Sequence, residues 1–408
     1  MKYCLIGKTL SHSYSRTLHR SYGLDYDLVE VAEADLPLWL RRDDHDGFNV
    51  TIPYKEAVIP YLDGLDPSAR RCGAVNTVRR KGDKLWGYNT DYEGLVGAYA
   101  HYGVQVKGRN VLILGTGGAA KMAAVAMRDL GAASVQTVSR RGPVDYTNCY
   151  EQADTHILIN ATPVGTYPNV DASPVDVRRW PRLQFVYDLV YNPYRTALVD
   201  AAKACGVPAQ NGLAMLVIQA LAARRIWEGT PYTPADIEAC MGRLRSATLN
   251  IALVGMPSSG KSTVGRALAE ATGKPYLDTD LWLTERHGRT PRQIITEDGE
   301  DAFRTLEEEA VSAVSRARGA ILATGGGAVL RENNRSLLHH TAMVVYLVRE
   351  LSLLSDEGRP TLQQAGAATM FARRDPIYRA MADVVVDNDG TVQSAVQRIL
   401  QAYEHFGN

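Results

Sequence analysis

Apolar runs of three to five residues recur along the chain, several of them followed by a longer stretch with helical spacing. Val111, Leu112, Ile113 and Leu114 form one such run and read as a buried strand, and residues 134–138, 157–160 and 185–189 read as further buried strands. Ile251, Ala252, Leu253 and Val254 repeat the pattern later, a strand is expected at residues 275–277, and another ends at Ala323. Residues 214–227 read as one long helix with Met215, Ile218, Leu221 and Ile226 on its apolar side, and a second helix opens at Pro234 and closes near Arg245. A strand is expected by Leu249, so only a few residues join the two parts of the chain, a stiff junction and not a tether. Strands alternating with helices predict βαβ units and parallel sheets. The expected class is α/β: a two-domain first part, with an α/β substrate domain and a Rossmann domain, joined to a P-loop kinase-like parallel sheet.

The 408 residues allow two to four domains. The chain is 45% hydrophobic and 22% charged, the balance of an ordinary globular protein. Its 45 basic side chains match its 45 acidic ones. From Thr248 onward there are 17 basic and 20 acidic residues, leaving 28 against 25 before it. Neither part is a polycation, so bulk charge argues for neither nucleic acid nor membrane as partner. No apolar run approaches the roughly 18 residues of a membrane span, and Lys8 interrupts the N-terminus before a secretion signal could form. Cys4, Cys72, Cys149, Cys205 and Cys240 are scattered and odd in number, so buried reduced thiols in a cytoplasmic protein are expected. His12, His339 and His340 lack partners at metal spacing, and Trp180, Trp227 and Trp282 read as packing residues.

After the strand ending at Val254 comes Gly255-x-x-x-x-Gly260-Lys261-Ser262-Thr263, the full phosphate-binding loop pattern between a strand and a helix. Its glycines let backbone amides turn toward phosphate oxygens, and Lys261 supplies a positive charge for the β- and γ-phosphates. The Ser262 hydroxyl can ligate Mg²⁺, so ATP or GTP binding is expected. Asp278 and Asp280 follow a short strand, at the end of the sheet where ligands of open α/β sheets bind. One carboxylate can support the metal while the other orients an acceptor hydroxyl. Phe303, Arg304 and Glu307 lie in an acidic helix, Gly325, Gly326 and Gly327 end a strand, and Arg359, Arg373 and Arg374 follow. Taken singly, each arginine reads as a solvated surface charge. Lys261 and Lys274 are the only lysines after Thr248, so the cations of this part are nearly all arginine, which suits bidentate carboxylate binding.

Taken in order, these segments make residues 248–401 resemble the shikimate kinases. The resemblance implies that Lys261 and Ser262 bind phosphate and Mg²⁺, that Asp278 supports the metal, and that Asp280 orients or deprotonates the attacking hydroxyl. It further implies that Arg304, Arg374 and the Gly325–Gly327 backbone hold shikimate, and that Arg359 comes from a lid to stabilise the transferring phosphoryl group.

Gly115-x-Gly117-Gly118-Ala119-Ala120 follows the strand ending at Leu114, a dinucleotide-binding fingerprint with alanine in its third place. The next strand ends in Ser139, Arg140 and Arg141, where an NAD-binding protein would carry a carboxylate, so NADP(H) is expected. About 110 residues precede the fingerprint, room for a substrate domain. They offer Ser13 and Ser15, Thr51 and Lys55, Asn76 and Asp91: hydroxyls, amides and one lysine–carboxylate pair. Such a pair is ordinarily a salt bridge, but in a cleft it can pass a proton to a carbonyl as hydride arrives.

These segments, with Gly212, Met215, Leu216 and Gln219 later on, resemble shikimate dehydrogenase across residues 1–245. The resemblance implies that Ser13 and Ser15 bind the substrate carboxylate. It puts Thr51, Asn76, Asp91 and Gln219 on ring hydroxyls with Tyr191 nearby, and makes Lys55 with Asp91 the proton-transfer pair. Met215 would belong to the cofactor site, and the helix bearing Gln219 should fold back onto the first domain. The last arginine of the family's NADP motif is missing, and Arg141 is expected to compensate. The expected organisation is therefore 1–246 dehydrogenase, with 1–105 and 210–246 substrate-binding and 106–209 binding NADP, followed by a kinase domain at 247–408. The expected function is NADPH-dependent reduction of 3-dehydroshikimate followed by ATP- and Mg²⁺-dependent phosphorylation of shikimate, in a monomer or homodimer. The rivals are a quinate/shikimate dehydrogenase joined to a different small-molecule kinase, and a pair in which one half has become a binding module.

Overall fold

A computed structural model of the chain describes residues 1–10, 13–353 and 366–406. Contacts divide the described residues into two compact units. Met1–Asn192 with Thr196–Leu244 forms the first, and Arg245 onward with Pro193–Arg195 forms the second. Arg359 lies outside the described residues.

The first unit contains two sheets. One has six strands, β1 (Lys2–Gly7), β2 (Asp25–Glu30), β3 (Gly47–Val50), β4 (Gly64–Leu65), β5 (Thr77–Lys81) and β6 (Lys84–Tyr88), in the order β2-β1-β3-β5-β6-β4. Its β1, β2 and β3 are parallel, whereas β5 runs antiparallel to both β3 and β6. The other is wholly parallel: β7 (Asn110–Leu114), β8 (Ser134–Val138), β9 (Ile157–Asn160), β10 (Phe185–Asp188) and β11 (Ala209–Gln210), in the order β11-β10-β9-β7-β8. The order reverses between β7 and β9, and sheets of this kind bind ligands at that switch point.

Helix Leu213–Glu228 extends one residue beyond the expected span at each end. It packs along helix Thr90–His101 and reaches the first sheet: Trp227 stacks on Tyr3 with ring centroids 4.6 Å apart, and its Nε1 donates to the Val78 carbonyl at 2.9 Å. That helix does fold back onto the first domain.

The second unit is one parallel sheet, β12 (Asn250–Val254), β13 (Tyr276–Asp278), β14 (Ile321–Ala323), β15 (Ala342–Val348) and β16 (Val384–Asp387), in the order β13-β14-β12-β15-β16. Ile251, Leu253, Val345 and Leu347 fill one face of its core, and Ala252, Val254, Val344 and Tyr346 the other. Both faces are apolar because helices cover both sides of a parallel sheet.

Several expectations need correction. Helix Pro234–Thr248 runs past Arg245, since Ser246, Ala247 and Thr248 contain no helix breaker, and β12 starts at Asn250 rather than Leu249. The strand expected at 275–277 spans Tyr276–Asp278, and β10 stops at Asp188. Cys205 is exposed, while the other four thiols are buried. Among the described residues no helix is long and apolar enough to cross a membrane.

Candidate active sites

Lys55 sits on the short helix Tyr54–Ala57 that follows β3, and Asp91 in the first turn of helix Thr90–His101. The Asn89 side chain caps that helix by accepting the Tyr92 amide, which fixes where Asp91 points. Lys55 Nζ donates to Asp91 Oδ2 at 2.6 Å, with the two side chains 27% and 19% exposed. An ion pair this open adds little stability, but both groups remain within reach of a ligand.

They line a cavity of about 310 Å³ shared with Ser13, Ser15, Thr51, Asn76, Tyr191, Met215 and Gln219. Every substrate-site residue expected in the first part thus meets in one place, at the low end of the size range of small-molecule sites. The cavity also recruits residues that the sequence reading left unassigned: Thr9, Leu10, Asn49 and Gly212. Asn49 is a structural organiser. Its Nδ2 donates to the Asn76 carbonyl and to Thr77 Oγ1, and its Oδ1 accepts from the Tyr26 hydroxyl. Asn76 in turn receives the Thr90 amide at 2.7 Å, tying β5 to the helix that carries Asp91. Asn49 lies two residues before Thr51, yet nothing in its local pattern distinguishes a side chain facing the cavity from one facing the core.

At the β7 end, Gly115 has φ +108°, and a Cβ there would lie 3.1 Å from the Ala161 carbonyl beyond β9. Gly117 and Gly118 open helix Gly118–Asp129, with nothing within 4 Å of a Cβ at either position. Ala119 follows, and Ala120 is fully buried against the sheet. Open amides at a helix N-terminus suit a pyrophosphate. Arg140 and Arg141 are both exposed after β8, and Ser139 Oγ accepts the Arg141 amide at 3.3 Å. The residues present therefore fit a dinucleotide.

Asp188 ends β10 fully buried, one residue before Leu189 of the cavity. Its Oδ1 accepts from Asn160 Nδ2 at 2.9 Å and from the Val190 amide at 3.0 Å. Burial pushes its carboxyl up to about 6, against the pull of these donors and the Thr196 hydroxyl. An acid raised on folding stabilises the native state fully below its ordinary pKa, and this contribution is lost as pH climbs through the folded value. Wild type should therefore lose on the order of 3 kcal/mol relative to Asp188→Asn between roughly pH 4 and pH 7. Thermal unfolding of both proteins across that range measures it; a constant difference would refute it.

In the second unit the Gly255–Gly260 loop leaves β12 for helix Lys261–Thr272. A Cβ on Gly255 would lie 2.6 Å from the Leu347 carbonyl, and Gly260 has φ +92°, so both places demand glycine. Lys261 is buried, with Nζ donating to the Gly255 and Met256 carbonyls at 2.9 and 2.8 Å. Ser262 and Thr263 are exposed in the first helical turn. Ser262 Oγ stands 3.1 Å from Asp278 Oδ2, which also accepts the Tyr276 hydroxyl. A hydroxyl and a carboxylate oxygen side by side are hard donors that fit Mg²⁺.

Asp280 lies in the first turn of helix Thr279–His287, whose cap is Asp278. Its Oδ1 faces Gly325, 3.2 Å from where a Cβ would be, and Glu307 Oε1 lies 2.5 Å from the same point. The arginines overturn the solvated-charge reading: Arg304 and Arg374 are both only 6% exposed. Arg304 pairs with Glu307 Oε2 at 2.7 Å and with Glu300 Oε1 at 2.8 Å. Its guanidinium covers Gly327 so closely that a Cβ there would lie 2.0 Å from Nη1. Arg374 Nη1 donates to the Gly326 carbonyl at 3.1 Å, beside the Tyr378 hydroxyl that donates to the same oxygen. Burial pulls Arg374 down and pushes the Glu307 carboxyl up, the latter against the neighbouring Arg304 and helped by the charge of Asp280. Two buried guanidiniums, a carboxylate and a glycine floor converge beside the phosphate loop. Guanidiniums beside a carboxylate are the chemistry that can receive an acid and the proton of a hydroxyl.

A family profile described as shikimate dehydrogenase substrate binding domain matches residues 5–78, and one described as shikimate kinase matches residues 257–404. The shikimate dehydrogenase (NADP(+)) of Caldicellulosiruptor saccharolyticus is 35% identical over 256 residues, 55% of this chain and 91% of that protein. The protein of the same description from Caldanaerobacter subterraneus is 36% identical over 253 residues, covering 55% and 90%. Among solved structures, shikimate dehydrogenase 1 from Peptoclostridium difficile is similar with a TM-score of 0.55 and 34% identity, over 60% of this chain and 98% of that one. Shikimate 5-dehydrogenase from Thermus thermophilus, solved in complex with NADP(H) and shikimate, gives 0.54 and 33% over 60% and 99%.

Proposed function

The chain belongs to the shikimate dehydrogenase family and carries a shikimate kinase domain behind it, and from that premise we propose that one polypeptide makes shikimate and then phosphorylates it. It is a bifunctional enzyme of the shikimate pathway, an oxidoreductase and a kinase, using NADP(H), ATP and Mg²⁺. The proposal adds direction and roles: 3-dehydroshikimate is reduced in the first unit, and the shikimate 3-hydroxyl accepts a phosphoryl group in the second.

What supports the reading is a pair of polar clusters built from opposite chemistries. In the first cavity the Lys55–Asp91 pair is ringed by hydroxyls and amides. Gly115–Ala120, with Ser139, Arg140, Arg141 and Met215, would hold NADPH, which would supply the hydride. Lys55 gives its proton to the ketone oxygen as the hydride reaches the carbon, and Asp91 holds the ammonium in place. Ser13 and Ser15 take the carboxylate, while Thr51, Asn76 and Gln219 take the ring hydroxyls beside Tyr191.

In the second unit Arg304 and Arg374, over Gly325–Gly327, take the carboxylate and ring. Asp280 receives the proton of the attacking hydroxyl, and Lys261 balances charge on the transferring group. ATP would supply that group, and Ser262 with Asp278 would hold the Mg²⁺. Arg359 is assigned to the same transition state.

A coupled assay tests the whole reading. Given 3-dehydroshikimate, NADPH, ATP and Mg²⁺, the protein should oxidise NADPH and release ADP, and ADP formation should stop when NADPH is withheld. ADP release from added shikimate, with no NADPH oxidation when 3-dehydroshikimate is supplied, would sink the dehydrogenase assignment; NADPH oxidation by 3-dehydroshikimate with no ADP release from shikimate would sink the kinase assignment.

A further inference from the structure

The acceptor pocket of the second unit lies over β13 and β14, on one side of the phosphate loop. With the sheet order β13-β14-β12-β15-β16 and strands about 4.8 Å apart, the far end of a bound nucleotide must lie toward β15 and β16. The residues that meet it there are those just past the ends of these strands.

Arg349 is the first residue after β15. Its Nη1 reaches only a long contact, 3.5 Å, with the Ser258 carbonyl of the phosphate loop, and its Nε is buried with no hydrogen-bond partner. Among the described residues no carboxylate pairs with it. The surrounding backbone, by contrast, is firmly held: the Glu350 amide donates to Asp389 Oδ1 at 2.8 Å, and the buried Asn388 donates to the Ser259 carbonyl at 2.8 Å. A half-buried guanidinium with weak partners, on a braced turn beside a nucleotide loop, is desolvated without full compensation. Such a group gains most from a ligand that completes it.

We propose that Arg349 binds the nucleoside end of ATP, presenting its guanidinium plane to the purine. An arginine suits this role because its planar fork stacks on a ring and also donates. The inference rests on the kinase reading and adds to it a residue outside the phosphate loop pattern.

The test uses the full-length protein with Mg²⁺ and measures the affinity of ADP and, separately, of inorganic tripolyphosphate by calorimetry. Arg349→Ala should weaken ADP about tenfold and leave tripolyphosphate within about twofold. Arg349→Lys should recover only part of the ADP affinity, because the charge returns without the plane. Retained NADPH-dependent reduction and an unchanged circular dichroism spectrum establish folding; if the alanine variant misfolds, Arg349→Gln takes its place. Equal ADP affinity in variant and wild type would overturn the inference, as would equal losses for ADP and tripolyphosphate. Wild type binding no ADP would overturn the kinase reading instead, so the two failures are distinguishable.

Discussion

Lys55→Ala should lower kcat for NADPH-dependent reduction of 3-dehydroshikimate by about 10²–10⁴-fold, the range lost when a positioned general acid is removed. Phosphorylation of added shikimate, which depends on a separate pocket, should stay at the wild-type rate. The geometry explains why the loss falls on kcat. Lys55 Nζ lies 2.6 Å from Asp91 Oδ2 and is partly open to the cavity, so its ammonium can turn from carboxylate to ketone oxygen without crossing a barrier of burial. Hydroxyls and amides around it carry substrate affinity, so KM should move by only a few-fold. Asp91→Asn should cost less than Lys55→Ala, since it removes the charge that holds the ammonium but keeps an oxygen at hydrogen-bond distance. Steady-state kinetics with both substrates decide the matter. Wild-type turnover in Lys55→Ala would remove the lysine from the chemistry, and a large rise in KM at unchanged kcat would make it a binding group only.

Strands β11, β15 and β16 went unread, but part of the parallel sheets was readable because strands such as Val111–Leu114 and Ile251–Val254 are continuous apolar runs and glycine loops mark where they hand over to a helix. The first sheet was not. Strands β5 (Thr-Val-Arg-Arg-Lys) and β6 (Lys-Leu-Trp-Gly-Tyr) are short and rich in charge, and their hairpin pairs Lys81 with Lys84 across Gly82 and Asp83. No period-2 pattern survives such a composition, so the antiparallel part stayed hidden. Site residues divide along the same line. The pairing of Lys55 with Asp91 was implied by the resemblance to shikimate dehydrogenase, whereas Lys261 and Ser262 could be found from the spacing of the phosphate-loop pattern. The burial of Arg304 and Arg374 could not, because it is produced by Glu300, Glu307 and the Gly326 carbonyl, partners supplied by helix register in one case and a distant strand end in the other. Arg349 was invisible for a related reason: only the sheet order shows that a residue after β15 borders the phosphate loop.

Asp280→Asn should reduce kcat for phosphorylation by about 10²–10⁴-fold while leaving ADP affinity and the dehydrogenase reaction intact. The substitution preserves shape. The Asp280 amide is still received by Asp278 Oδ1 at 2.9 Å, so helix Thr279–His287 keeps its cap and the side chain keeps its direction toward Gly325. What changes is charge and basicity. The asparagine cannot take the hydroxyl proton, and the negative charge that helps raise the Glu307 carboxyl disappears. Glu307 is the poorer stand-in, since it is fully buried and its Oε2 is bonded to Arg304 at 2.7 Å, which leaves only Oε1 beside Gly325. A fall in kcat at constant KM for ATP marks loss of a group acting on the acceptor. If kcat survives and only KM for shikimate rises, Asp280 orients the hydroxyl and water takes the proton. If neither moves, the carboxylate has no part in the transfer, and the acid pocket beside Gly325 needs a different base.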